Sequence, residues 1–316
     1  MTKKHKEKRN RNLTSQLKNR MRELNKIGSS RNAAKAELRQ NENYKFGDTP
    51  KEIFSIQTMK NYNQVSHEFI KWAKENGANN RDNLQDIIEK YGVSYLKHRE
   101  SLGLSTSTLK RDRASLNKIS NADKKIDYQF KKMSVHDITR SRINSNENNK
   151  NFNEKINRDL VSLAKGTGGR RSDLAKLTPQ SFYESNGRLY VRFEQSKGGK
   201  DRVAVVREEY RKDIQSRIDS TRSNQKLFER INSNADIHSY RRDYAQNLYK
   251  DIIKDERLNQ DLKGLYGERV EPHIKSDSYK TQGQDNFFSG NRDDIFIVTN
   301  ALGHNRLEVA VNHYLR

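Results

Sequence analysis

The chain has 316 residues, with 63 Lys and Arg against 41 Asp and Glu, a formal net charge of +22 and no cysteine. This length predicts about two domains, and the lack of cysteine excludes disulfide scaffolds, Cys-ligated zinc and thiol catalysis. No apolar run approaches the ~20 residues that cross a bilayer, and no apolar signal segment follows the charged start, so we expect a cytoplasmic protein.

The positive charge points to a polyanionic partner. Lys and Arg that neutralise phosphates release condensed counterions, which favours binding of nucleic acid. Charge alone leaves ribosomal and membrane-surface proteins open as alternatives.

The first 50 residues are the most basic part of the chain. They hold 14 Lys and Arg against five Asp and Glu, with few large apolar side chains. A segment of this composition cannot bury a core of its own. The pattern predicts a basic N-terminal arm, 1–50, with one or two short helices that become ordered mainly on binding. The alternative is a solvated tail that only improves solubility.

Residues 51–122 show three helical periodicities. Large apolar residues recur at spacings of three and four from Thr58 to Gly77, and similar stretches begin near Leu84 and Ser105. This spacing predicts a small all-helical domain. Its polar faces carry many Lys and Arg that suit a phosphate backbone, although exposed cations on helices are more often plain surface.

A polar, charged stretch from Ser120 to Lys132 indicates a domain boundary, and the second domain covers 133–316. Its first predicted helix includes Phe152, Ile156, Leu160 and Leu163. Alternating apolar residues in RLYVRF and DRVAVV, on either side of SKGG, predict a β-hairpin. A helix over 238–253 is followed by a polar stretch, 255–292, and a last helix. The predicted class is mainly α with a small antiparallel β-sheet.

Six side chains of the second domain suit chemistry on phosphate. They are Arg170 at a glycine turn, Lys197 at the hairpin tip, His238 and Arg241 three apart on one helical face, His304 after a glycine, and Tyr314 ten residues later. Each one alone is ordinary in so basic a chain. A lysine at a hairpin tip is by default simply exposed to solvent, and a His and an Arg at helical spacing often occur together by chance in so basic a chain.

The order of these residues resembles the tyrosine recombinase (phage integrase) family. The shared order is an arginine after a Thr-Gly turn, a hairpin lysine, a His-x-x-Arg helix, a Leu-Gly-His turn and a tyrosine near the carboxyl end. The resemblance makes 133–316 an α+β catalytic domain. It puts 51–122 in the place of the family's helical core-binding (SAM-like) DNA-binding domain, and 1–50 in that of an arm-binding region.

The resemblance implies a site-specific DNA strand transferase. Such an enzyme cleaves and rejoins DNA through a covalent 3′-phosphotyrosyl intermediate, here to integrate or excise a mobile element. No metal, ATP or other cofactor is implied. The implied partners are double-stranded DNA with specific recombination sites, a homotetramer assembled on that DNA, and accessory DNA-bending or directionality factors, with no membrane partner. The protein would act in the cytoplasm, at the bacterial nucleoid.

The implied roles match what strand transfer at phosphorus requires: a nucleophile, cations on the non-bridging oxygens and a proton for the leaving 5′ oxygen. Tyr314 is the implied nucleophile. The other implied roles are a phosphate clamp by Arg170 and Arg241, a hydrogen bond from His304, a general base in His238 and a general acid in Lys197. Asp173 either orients an arginine or is simply an acid near a helix N-terminus.

Three features depart from the family pattern. The family places the tyrosine one residue earlier, where this chain has His313, so we expect a local difference in backbone before Tyr314. Arg241 and His304 are 63 residues apart, which is more than usual and makes 255–292 an insertion. Only two residues follow Tyr314, so we expect contacts between protomers to come from the insertion or from the helical domain and arm.

Two alternative functions remain open from the sequence. One is a DNA-binding regulator that keeps the recombinase fold and lacks catalysis, and the other is an enzyme similar to type IB topoisomerases. A ribosomal or RNA-binding basic protein is a further alternative, but under it the order of the motifs would be a coincidence.

Overall fold

The computed structural model describes residues 11–120, 125–132, 151–197, 199–267, 276–281, 288–304 and 306–315. The chain divides into two compact units, Met1–Ile138 and Thr139–Arg316. Within the described ranges, no helix has both the length and the apolar character that a membrane span requires.

Within the described residues, the first unit contains five helices. They are α1 (Leu13–Glu23), α2 (Arg31–Arg39), α3 (Ile56–Glu75), α4 (Leu84–Ser101) and α5 (Thr106–Ser120). Asn12, Ser30, Ser55 and Asn83 cap the first four, because each side-chain oxygen accepts a backbone N–H of the first turn. The three helices predicted between residues 58 and 119 correspond to α3, α4 and α5.

Helix α1 belongs to the core of this unit, although it lies within the predicted basic arm, 1–50. Leu13 and Leu17 are buried in one cluster with Phe69 of α3 and Leu116 of α5. Their spacing of four puts both leucines on one face of α1, which packs on the other helices. In contrast, α2 buries none of its nine residues. The predicted arm therefore contains both a core helix and a surface helix.

The second unit combines seven α-helices, a 3₁₀ helix (Pro179–Ser181) and two small sheets in its described part. The helices are α6 (Arg158–Thr167), α7 (Arg171–Leu174), α8 (Glu208–Asp219), α9 (Ile237–Lys254), α10 (Glu256–Tyr266), α11 (Arg292–Ala301) and α12 (Leu307–Ala310), and a π-helical turn, Val311–Leu315, follows α12. The strands are β1 (Phe182–Ser185), β2 (Arg188–Ser196), β3 (Lys200–Val205), β4 (Ser278–Lys280) and β5 (Ser289–Asn291).

The three-stranded sheet is antiparallel, in the order β1-β2-β3. Its β2–β3 pair confirms the predicted hairpin, with Tyr190 opposite Val205 and Phe193 opposite Arg202. The register shifts between Phe193 and Ser196, where the extra residue forms a bulge. This bulge lies just before Lys197, so it directs the hairpin tip that carries the lysine.

The first described segment of the second unit, from residue 151, differs from the prediction. Helix α6 begins at Arg158, and the predicted helical residue Ile156 is 82% exposed. Phe152 is buried, but it reaches the core from a segment without helix. The spacing of Phe152 and Ile156 therefore reflects one buried and one exposed residue and not a helical face.

The predicted insertion, 255–292, is expected to be a polar stretch, but it begins with a core helix, α10. Leu258 and Leu262 of α10 are buried in the main cluster of the second unit. The Tyr266 hydroxyl donates to the Val203 carbonyl of β3 at 3.0 Å. Polar residues fill the rest of α10 because only one stripe of it faces the core. The part of 255–292 after α10 includes the β4–β5 pair, and 268–275 and 282–287 lie outside the described residues.

Candidate functional site

Two glycines bring Arg170 into the site. Gly168 ends α6 with φ +61°, a left-handed conformation that favours glycine. A side chain at Gly168 would overlap the Tyr244 ring, and one at Gly169 would overlap Leu174. The Thr-Gly-Gly sequence therefore lets the chain turn tightly, so that Arg170 stands at the start of α7.

Arg170 is held by three neighbours. Its Nη1 donates to Ser196 Oγ at 3.0 Å and its Nη2 to the Leu302 carbonyl at 3.1 Å. Its Nη1 also lies 3.7 Å from Asp173 Oδ2. These contacts come from the hairpin, the turn after α11 and α7. Asp173 thus contacts an arginine, which favours the orienting role over that of a simple helix acid.

Arg241 is the most deeply buried cation of the site, with 1% of its surface exposed. It donates to the carbonyls of Gly168 and Leu302. Its Nε lies 3.4 Å from the Tyr314 hydroxyl, and its Nη2 lies 3.4 Å from His304 Nε2. The guanidinium therefore touches both the predicted nucleophile and one predicted histidine.

Both histidines lie against Tyr314. The ring centroids of His238 and Tyr314 are 5.4 Å apart, and those of His304 and Tyr314 are 5.5 Å apart. His238 is on the same helix as Arg241, one turn earlier, as the His-x-x-Arg spacing predicts. His304 follows Gly303, which has φ +64°, and its backbone N–H donates to the Thr299 carbonyl at 2.9 Å.

The π-helical turn accounts for the unusual spacing before Tyr314. A π-helical turn holds one residue more than an α-helical turn at the same place in a helix. Tyr314 lies in this turn, is 5% exposed and faces the other site residues. The extra residue between His304 and Tyr314 is thus absorbed locally, and His313 does not replace the tyrosine.

All six predicted residues line one cavity of about 460 Å³: Arg170, Lys197, His238, Arg241, His304 and Tyr314. Lys197 is exposed at the hairpin tip. Arg171 and residues of the loop before α9 complete the wall. Residues up to 144 positions apart along the chain therefore meet around a single opening.

The surrounding charges control how the histidines titrate. Burial, followed by repulsion from Arg241 and Arg170, lowers the pKa of His304 to about 3. Burial also lowers the pKa of His238, with contributions from Arg242 and Arg241. Both imidazoles are consequently neutral at pH 7 in the free protein. Burial, followed by repulsion from Arg202, lowers the pKa of Arg241 to about 10, which leaves this arginine protonated.

Three residues of the site were not predicted. Ser196 bridges Arg170 and Asp173, and Arg202 lies below the cavity in an ion pair with Asp173. Arg171 donates to the carbonyls of Ser233 and Ala235, in the loop that leads into α9. Serines and arginines are so common in this sequence that only tertiary contacts distinguish these three.

The side chains around the cavity favour an anion over a metal ion. In the part of the chain that the structure describes, no group of three or more His, Asp or Glu side chains is placed to hold a metal ion. The cavity is lined instead by cations, which suit an anion such as a phosphodiester.

Solved structures of recombinases resemble this chain over most of its length. One is the XerH site-specific recombinase bound to a palindromic difH substrate in a post-cleavage complex, with 17% identity, 95% of this chain and 90% of that chain covered, and a TM-score of 0.49. The Tn1549 transposon integrase in complex with circular intermediate DNA shows 13% identity, coverage of 91% and 96%, and a TM-score of 0.37. The XerA recombinase shows 15% identity, coverage of 83% and 89%, and a TM-score of 0.32.

No model of a protein family matches the sequence. No curated protein matches it either.

Proposed function

We propose that this chain is a tyrosine recombinase, a DNA strand transferase that cleaves and rejoins duplex DNA at specific sites through a 3′-phosphotyrosyl intermediate. The observation that carries the proposal is the contact of the Tyr314 hydroxyl with Arg241, in a cavity that Arg170, Lys197, His238 and His304 also line. A phenol among cations is suited to attack a phosphodiester, because the cations stabilise the charge that develops on the non-bridging oxygens.

The proposed cleavage step is a transesterification. The Tyr314 oxygen forms a bond to the scissile phosphorus, and the bond from phosphorus to the 5′ oxygen breaks. DNA keeps its 3′ phosphate as an ester of the tyrosine, and the other product is a free 5′ hydroxyl. Rejoining reverses these bonds with a 5′ hydroxyl from the same or another strand. Because one phosphodiester replaces another, the cycle requires no ATP, and the chain's own cations can stabilise the transferred phosphate.

Two residues transfer protons in this step: one accepts the proton of the attacking phenol, and the other donates a proton to the leaving oxygen. His238 lies against the Tyr314 ring and has a lowered pKa, so at pH 7 it is free to accept the phenol proton. Lys197, at the exposed tip of the hairpin, donates a proton to the departing 5′ oxygen. Arg170, Arg241 and His304 remain to bind the non-bridging oxygens, for which planar guanidinium groups are well suited.

The proposed partners follow from strand exchange between two duplexes. Each duplex contributes two cleavage positions, so four copies of the chain assemble on DNA, with accessory DNA-bending or directionality factors as further candidates. The net charge of +22 supports binding to the phosphate backbone. Helix α10 packs in the core of the second unit, so the part of 255–292 after α10 is the candidate for contacts between copies. Integration or excision of a mobile element is the proposed biological task.

The test is a trap for the covalent intermediate. The full chain is incubated with a pool of nicked duplexes of randomised sequence, the mixture is denatured, and DNA that stays attached to protein is sequenced. The attached peptide is identified by mass spectrometry. We expect a 3′-phosphate ester on Tyr314 and a common sequence at the cleaved ends, and EDTA should leave the yield unchanged. The selected duplex then serves all later assays.

Tyr314→Phe should bind the selected duplex and form no adduct, because only the nucleophilic oxygen is removed. Tyr240→Phe is the matched control. Tyr240 is a buried tyrosine of α9 whose hydroxyl donates to Glu154 at 2.8 Å, and its variant should still form the adduct. An adduct on another tyrosine would contradict the assignment of Tyr314. Specific DNA binding without any adduct would favour the regulator that lacks catalysis.

A further inference from the structure

Arg202 lies below the active-site cavity and is absent from the described residues that line it. It stands on β3 opposite Phe193 of β2, and its guanidinium carbon is 3.8 Å from the centre of the Phe193 ring. Only 5% of its side chain is exposed. Arg202 is thus too deeply placed to touch DNA itself.

This one guanidinium joins two elements of the site. Its Nη2 donates to Asp173 Oδ2 at 3.1 Å, and its Nη1 donates to the Ala301 carbonyl. Asp173 belongs to α7, whose N-terminus carries Arg170. Ala301 is the last residue of α11, from which the chain runs directly to His304. Arg202 therefore connects the elements that carry two of the phosphate-facing residues.

The connection to Arg170 is continuous. Asp173 accepts a hydrogen bond from the Ser196 hydroxyl at 3.0 Å and from the Arg170 backbone N–H at 3.3 Å. The Ser196 oxygen in turn accepts from Arg170 Nη1 at 3.0 Å. Neutralising Arg202 would leave Asp173 as a buried, poorly compensated carboxylate, which would then compete for the Arg170 side chain.

The connection to His304 is by close packing as well as by hydrogen bonding. A Cβ atom at Gly303 would lie 2.6 Å from Arg202 Cδ. The Leu-Gly-His turn consequently rests on the stem of Arg202, which is one physical reason for glycine at this position. Any movement of Arg202 changes the support under His304.

Stability alone does not explain this arginine. Its Nε is buried and has no hydrogen-bond partner among the described residues. A buried donor without a partner destabilises the folded state, and apolar residues often replace buried ion pairs without loss of stability. An advantage elsewhere, in the geometry of the site, would offset this cost.

We propose that Arg202 is a positioning residue for strand transfer, which holds Arg170 through Asp173 and Ser196 and supports the turn that carries His304. The inference rests on the proposed function. Because transition-state charge is stabilised only by donors in the correct place, displacement of Arg170 by a fraction of an ångström slows the reaction without weakening the bulk of the DNA contacts.

The test uses R202M, which removes the charge, and R202K, which keeps it but cannot reach both acceptors. Adduct formation on the selected duplex is followed at saturating protein, and DNA affinity is measured separately. We expect both variants to form the adduct about 10- to 100-fold more slowly, with affinity within about threefold of wild type. R207M is the control, since the Arg207 side chain is only 9% exposed and also pairs with an aspartate, Asp251, outside the cavity lining. Its rate per folded molecule should equal that of wild type.

A second substrate distinguishes positioning from loss of folded protein. In a duplex with a methylphosphonate at the scissile position, one non-bridging oxygen is replaced by a neutral methyl group, so the reaction depends less on the placement of Arg170. The rate difference between wild type and the Arg202 variants should shrink to about threefold or less on this substrate. A variant that merely has fewer folded molecules would be slowed equally on both substrates.

Rates within threefold of wild type on the ordinary duplex would overturn the inference, as would an equal defect on both substrates. If R202M does not fold, the same criteria apply to R202K. If neither variant folds at a temperature where R207M folds, the role of Arg202 is to stabilise the fold, and the inference is overturned. If wild type itself forms no adduct, the proposed function fails, which is a different result from normal cleavage by an Arg202 variant.

Discussion

Three guanidinium groups, those of Arg241, Arg170 and Arg202, act electrostatically on His304. Arg241 contacts the tyrosine, Arg170 faces the cavity, and Arg202 lies underneath with Asp173 as its partner. Burial raises the pKa of Asp173, but Arg202 and hydrogen bonds from Arg202, Arg170 and Ser196 outweigh this and lower it below its ordinary value. The carboxylate thus remains charged and compensates part of the local positive charge.

Lys197 can be tested as the general acid. Lys197→Ala should slow cleavage of the ordinary duplex by about 10²- to 10⁴-fold, the usual range for such a residue. If the bridging 5′ oxygen is replaced by sulfur, the leaving thiolate needs no proton, so the variant should recover to within about tenfold of wild type. Lys200→Ala, an exposed lysine of the same hairpin, is the control and should be unaffected. A variant that stays slow with sulfur would indicate that Lys197 binds the phosphate.

His304 should make the stability of the second unit depend on pH. In the unfolded chain its pKa is about 6.5, whereas in the folded protein burial and Arg241 lower the pKa to about 3. Between these values the unfolded state binds more protons, so this contribution to stability is complete above about pH 6.5 and is lost as the pH falls towards 3.

His304→Gln removes that titration. The free energy of unfolding, measured in urea by circular dichroism, should therefore fall less between pH 7 and pH 5 in the variant than in wild type. Parallel curves for the two proteins would show that His304 keeps an ordinary pKa.

Among the elements, the π-helical turn has the clearest functional consequence. The turn Val311–Leu315 follows α12 and places Tyr314 against both histidines. Such turns are single-residue expansions of an α-helix. The tyrosine keeps its place in the cavity because the backbone widens there, and a regular α-helix with the same number of residues would turn it away by about 100°.

Deletion of Asn312 should convert the π-helical turn into an α-helical one. We expect the Tyr side chain to remain in the cavity and adduct formation to stay within about tenfold of wild type, because the deletion removes only the expansion. Insertion of one alanine after Asn312 should abolish the adduct, since a second extra residue rotates the tyrosine by about 100°. Loss of the adduct in a folded deletion variant, with the insertion variant active, would reverse this interpretation.

At the scale of the whole molecule, charge and core overlap near the N-terminus. The first 50 residues are strongly basic, yet Leu13, Leu17, Met21 and Leu24 are buried in the core of the first unit. A truncation of residues 1–50 would therefore remove both basic charge and part of the hydrophobic core of the first unit.

Two truncations separate these contributions. Removal of residues 1–10 deletes five Lys and Arg and one Glu. It should keep the unfolding temperature and reduce the salt dependence of DNA binding, whose slope falls by about 0.9 for each phosphate that the protein no longer neutralises. Removal of residues 1–50 should also destabilise the first unit, because it takes four buried side chains out of the core. A stable protein lacking 1–50 would show that α1 is dispensable for the core.

Local patterns in the sequence determine much of this molecule. Helical periodicity predicts α3, α4, α5 and α9, because an amphipathic helix needs apolar residues at spacings of three and four. Alternation around SKGG predicts the hairpin, and the order of six reactive residues indicates the proposed site. The helices and the hairpin depend on neighbours within one or two turns of chain, and the order of the reactive residues is a property of the sequence itself. Both are therefore visible without the fold.

The tertiary structure alone decides where the ambiguous segments pack. Helix α10 has a polar sequence because only Leu258, Leu262 and a few neighbours face the core, and the charges around the leucines of α1 obscure its apolar face. Arg202 looks like any other arginine of a basic strand. Its role depends on Asp173 and Ala301, 29 and 99 residues away, and no local pattern encodes which distant carboxylate or carbonyl a buried guanidinium meets.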